Sequence, residues 1–75
     1  MNKQRRKKIV EISKRIEEIT QHLSEILDEE QESFDNMTDG LQSSDVGAAS
    51  ENAQECIDSA ILSLEDAIEM LEEIY

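Results

Sequence analysis

Proline and tryptophan are missing from this chain, glycine occurs twice, and Phe34 and Tyr75 are the only aromatic side chains. Without proline nothing interrupts a long helix, and a composition led by Glu, Ile, Leu, Ala and Ser favours helices over a sheet. The single cysteine, Cys56, excludes an internal disulfide and fits a reducing compartment. No apolar run approaches the ~20 residues that span a bilayer. Ile9 to Arg15 carries Glu11, Lys14 and Arg15, which excludes the apolar core of a secretory signal. A cytoplasmic protein without a membrane partner is expected. With no aromatic stacking platform, direct nucleic-acid binding is not expected either.

The largest absence is of positive charge. All seven Lys and Arg residues precede Ile16, and none follows. Seven bases less Glu11 give residues 1–15 a charge of +6, and the other eighteen acids give the remainder −18, which sum to the net −12. Such asymmetry sets which surfaces the chain approaches and which it avoids.

What is present is heptad spacing. Ile9, Ile12, Ile16, Ile19, Leu23 and Ile26 follow one another at alternating intervals of three and four, the pattern of a helical seam. Leu27 and Phe34 broaden it. In the second half Ala53, Ile57, Ala60, Leu64, Ala67, Leu71 and Ile74 repeat at four and three, flanked by Ile61, Ile68 and Tyr75. Turn-forming residues collect between them. Gly40 suits a left-handed or loop position, Ser43 or Ser44 an N-cap, and Gly47 weakens the start that follows.

The expected fold is all-α: one domain over residues 1–75, an antiparallel hairpin with a helix at about 3–36, a turn at 37–43 and a helix at about 44–74. Residues 3–15 then lie beside 62–75, so the basic head serves as counter-charge to Glu65, Asp66, Glu69, Glu72 and Glu73. A chain this short buries only about 60% of its unfolded surface. Its apolar stripe is wider than one neighbouring helix covers. Ile57, Ala60, Ile61, Leu64, Ile68 and Leu71 are therefore expected to self-associate, giving a homodimeric four-helix bundle.

At the turn end no base offsets the acids. Glu25, Asp28, Glu29, Glu30, Glu32 and Asp35 place one charge per ~2.7 Å of helix, comparable to one phosphate per ~3.4 Å of a DNA strand. Glu51, Glu55 and Asp58 extend the same pole. These nine residues are the expected contact with a protein partner that has a basic surface.

Catalytic and cofactor chemistry find no foothold. His22 has Glu18 and Glu25 on its face, but Ile19 stands where a dinuclear bundle site needs Glu, so no metal is expected. Asp35, Asp39 and Gly40 echo a calcium loop, yet Met37 replaces a ligand and Val46 the closing Glu. Cys56, beside the seam, reads as a small buried hydrophobe. No enzyme and no cofactor are expected.

Phe34-Asp35-Asn36-Met37, then Gly40-Leu41-Gln42-x-Ser44, then the Ala/Ile/Leu/Glu heptads, resemble a family of short acidic two-helix proteins of Gram-positive bacteria, their phages and mobile elements. Thr38 stands where that family commonly has proline. The resemblance implies a bacterial host cell and a mobile-element setting, and no activity or site residue. Two functions are open. The first is a small acidic inhibitor, of DNA-mimic type, that masks a basic nucleic-acid-binding surface and acts against a host defence. The second is a scaffolding hairpin that binds partners through its apolar heptads.

Overall fold

The computed structural model describes residues 1–75 and contains three helices: α1 Lys3–Asp35, α2 Asp39–Gln42 and α3 Asp45–Glu72. The long helices α1 and α3 pack against each other as an antiparallel hairpin. The molecule is a rod of 58 × 15 × 12 Å, two helices wide, with a radius of gyration of 17.2 Å. A compact domain of this length would have about 11 Å.

The ends of the helices follow from local chemistry. The Asn2 side chain caps α1, accepting from the Arg5 backbone N–H at 2.9 Å. Asn36 and Met37 close its other end by donating to the carbonyls of Glu32 and Phe34. The expected turn holds the extra helix α2, which Thr38 caps by accepting from the Leu41 N–H. Gln42 Nε2 reaches back to donate to the Phe34 carbonyl at 2.9 Å, fastening α2 to the end of α1. Ser44 is the N-cap of α3, yet its hydroxyl turns away to donate to the Leu41 carbonyl and caps nothing.

Gly40 takes no left-handed conformation and sits inside α2. Gly47 has a packing reason to be glycine. A Cβ there would lie 2.7 Å from Gln42 Cα and closer still to its carbonyl group, so the chain entering α3 passes flat against α2.

The seam of α1 differs in phase from the one expected. The covered positions after Ile9 are Val10, Ser13, Ile16, Thr20, Leu23, Leu27, Glu30, Phe34 and Met37, whereas Ile12, Ile19 and Ile26 stand 48%, 52% and 49% exposed. Both patterns share Ile9, Ile16 and Leu23. Choosing the row one residue later covers Leu27 and Phe34, which the other row would turn towards water. In α3 the covered row is Gly47, Ser50, Gln54, Ile57, Ile61, Leu64, Ile68 and Leu71. The alanine row lies beside it.

Little is fully buried: Ser13, Gly47, Ser50, Ile61 and Ile68. Burying each of the two isoleucines stabilises by about 1.5–3 kcal/mol. The seam's polar residues are handled in different ways. Thr20 donates to the Ile16 carbonyl at 2.8 Å. Ser50 donates to Glu30 Oε1 at 2.7 Å, and Gln54 Nε2 donates to Ser50 Oγ at 3.3 Å. The Ser13 hydroxyl, on a residue only 2% exposed, has no partner.

Candidate functional site

A right-handed helix paired with one running the other way gives the hairpin two unlike long faces. On one side of the α3 seam lie Glu51, Glu55, Asp58, Leu62, Glu65, Glu69 and Glu72, again spaced four and three. The α1 residues beside them include Glu17, Gln21, Asp28 and Asp35. One open groove lined by Glu17, Thr20, Gln21, Glu65, Ile68, Glu69 and Glu72 shows that the two sets share a face. This face is acidic over α3 and over α1 from Glu17 to Asp35; nearer the free end of α1 the row of Gln21, Asp28 and Asp35 continues as Lys14 and Lys7. The opposite face carries Ile12, Ile19 and Ile26 of α1 with Val46, Ala53, Ala60 and Ala67 of α3 and Ile74 just past its end.

The nine residues of the expected acidic pole divide between several surfaces. Asp28, Asp35, Glu51, Glu55 and Asp58 lie on the acidic face and are exposed. Glu25 and Glu32 occupy the outer back of α1, and Glu29 borders the isoleucine row. Glu30 is half-buried in the seam, held by Ser50. The groove acids Glu17, Glu65, Glu69 and Glu72 were not among the expected contacts. The four-and-three spacing of acids along α3 was the signal that could have found them.

The apolar residues expected to self-associate lie elsewhere. Ile61 and Ile68 are buried and Ile57, Leu64 and Leu71 half-buried, all in the seam against α1, and Ala60 alone of that set is exposed on the apolar face.

The acids make no ion pair with a lysine or arginine. The only contact at ion-pair distance is His22 Nδ1 to Glu25 Oε2, 4.0 Å, on the exposed surface. No lysine or arginine pairs with a carboxylate, so the head forms no direct bonds with the acids of α3. Its Lys3, Arg6, Lys7, Lys8, Val10 and Glu11 line an open patch made by α1 alone. Carboxylates this dense and unpaired set up a negative field over α3 and the turn end of the rod, while the head of α1 stays positive. No three His, Cys, Asp or Glu side chains converge to hold a metal ion. Cys56 is exposed rather than buried, because its position points away from the seam occupied by Ile57. No helix is long and apolar enough to cross a membrane.

Comparisons with protein-family models, with curated proteins and with solved structures each return no match.

Proposed function

We propose that this chain works by binding a protein whose basic surface otherwise holds nucleic acid, and that it occupies that surface with carboxylates in place of phosphates. The observation that carries the reading is the lack of any cation within 4.0 Å of the acids outside His22 and Glu25. Exposed helices ordinarily mix both signs. Here α3 aligns six carboxylates on one face over 21 residue steps, Glu51 to Glu72, or about 31 Å at 1.5 Å per residue. A DNA strand places about nine phosphates over that length. The α1 contribution from Glu17, Asp28 and Asp35 brings the two counts together.

Such a face attracts a basic cleft from a distance, so association is fast at low salt and weakens as salt rises. The unfavourable charge density is tolerated because the rod keeps these side chains in water. The mobile-element setting and the role against host defence belong to this same proposal. The scaffolding reading keeps only part of its expected surface: Ile57, Ile61, Leu64, Ile68 and Leu71 pack on α1, while Ala60 and Ile74 stay exposed.

The test is capture from a bacterial host by the chain and by a variant neutralised at Asp28→Asn, Asp35→Asn, Glu51→Gln, Glu55→Gln and Asp58→Asn. The partner should leave the native chain as NaCl rises, fail to bind the variant, and release labelled DNA when the native chain is added. Capture that survives both neutralisation and high salt would overturn the reading.

A further inference from the structure

The apolar face, opposite the acidic groove, is covered by nothing within the chain. We propose that a second copy of this chain covers it, face to face and antiparallel, about a two-fold axis passing beside Ile19 and Ala60. This goes beyond the partner proposed above and uses the other face of the rod.

Area supplies the first argument. A compact chain of 8.6 kDa exposes about 4,700 Å² by size scaling, whereas this hairpin exposes 5780 Å². The excess of about 1,100 Å² is more than the roughly 800 Å² per partner that a stable interface buries.

Pattern supplies the second. Ile12, Ile19 and Ile26, each about half exposed, repeat every seven residues, as do Ala53, Ala60 and Ala67. Each row therefore superposes on itself when reversed about its middle member. Ile12 of one copy meets Ile26 of the other, Ile19 meets Ile19, and Ala53 meets Ala67. The small side chains let the two α3 helices approach closely.

Charge selects the arrangement. Along α1 the +6 of residues 1–15 is matched by the six acids between Glu25 and Asp35. Antiparallel stacking lays one copy's basic head over the other's acidic end, with Lys8 beside Glu29 at the edge of the isoleucine row. The seven bases, which make no ion pair within the chain, then acquire carboxylate neighbours. The other two-fold arrangement, with α1 of one copy over α3 of the next, gathers both acidic ends at the same place and is disfavoured by repulsion. The acidic grooves remain on the two outer faces of the assembly.

The experiment uses the full chain with Cys56→Ala as background. Sedimentation equilibrium at roughly 100 μM, well above a micromolar Kd, should give twice the 8.6 kDa chain mass. Ile19→Asp, whose side chain is already half exposed in the hairpin, should keep its helical circular dichroism and sediment as a monomer. Lys8→Glu should weaken the dimer roughly tenfold, two rim pairs at about 0.7 kcal/mol each, and adding Glu29→Lys should restore it. Ile19→Cys alone should form a disulfide-linked dimer under mild oxidation. A monomeric native chain overturns the proposal. So does cross-linking only when Ile19→Cys is mixed with Ala60→Cys, or a folded Ile19→Asp variant that stays dimeric.

Discussion

The two glycines allow the same substitution to be tried in two helices with opposite expected signs. Replacing a helical glycine by alanine ordinarily stabilises by up to about 1 kcal/mol. At Gly40 nothing lies within 4 Å of the added methyl and the backbone conformation suits any residue. Gly40→Ala should therefore stabilise by about 0.5–1 kcal/mol. At Gly47 the methyl falls on the Gln42 backbone, 2.7 Å from its Cα. A side chain could rotate aside, but a backbone cannot, so α2 must lift from the start of α3. That displacement strains the bond from Gln42 Nε2 to the Phe34 carbonyl, worth about 1 kcal/mol, and adds overpacking of about 1–3 kcal/mol. Less the propensity gain, Gly47→Ala should destabilise by about 1–3 kcal/mol. Thermal unfolding followed by circular dichroism at fixed protein concentration reads both, at about 4–8 °C per kcal/mol for a domain of this size. Gly40→Ala should melt a few degrees higher and Gly47→Ala clearly lower. If both rise together, helix propensity governs and the close passage of α2 over α3 is wrong.

Ser13→Ala removes a buried hydroxyl that has no partner and should stabilise by about 1–2 kcal/mol; a loss in urea midpoint would show the hydroxyl to be bonded. Ile61→Ala, at a residue 7% exposed in the hairpin, should cost about 2–5 kcal/mol, and a change below half a kcal/mol in chemical denaturation would remove Ile61 from the core. Cys56, exposed in the folded chain, should react with a thiol reagent about as fast in buffer as in denaturant; strong protection in the monomer would place it in the seam.

The hairpin itself was legible because its signals are redundant. Two uninterrupted helical stretches flank one cluster of turn formers, and the observed ends of α1 lie within a residue of those expected. The phase of the seam was less legible. Ile9, Ile16 and Leu23 belong equally to a row through Ile12 and to a row through Ser13, and hydrophobicity alone favours the isoleucines. Covering Leu27 and Phe34 decides for Ser13 and Thr20, and that choice depends on the far end of the helix. Glu30 shows the same limit. Heptad spacing from Ile9, Ile16 and Leu23 puts it in the seam, where it accepts from Ser50, and its place in the exposed acidic pole is what fails. The acidic face was half visible, as a pole at the turn. Its continuation through Glu65, Glu69 and Glu72 emerges once the α3 seam is placed and the groove with Glu17 is seen.

The two buried isoleucines also bear on how the hairpin comes together. Ile61 and Ile68 follow Asp35, the last residue of α1, by 26 and 33 positions, while the α3 residues nearest the bend are Gly47, Ser50 and Gln54. Closing a loop has an entropic cost that grows with its length, and the deepest apolar burial here lies in the middle and outer half of α3 rather than beside the hinge. The hairpin is therefore clasped past its hinge and open at its tips, where residues 1–8 and 72–75 are exposed.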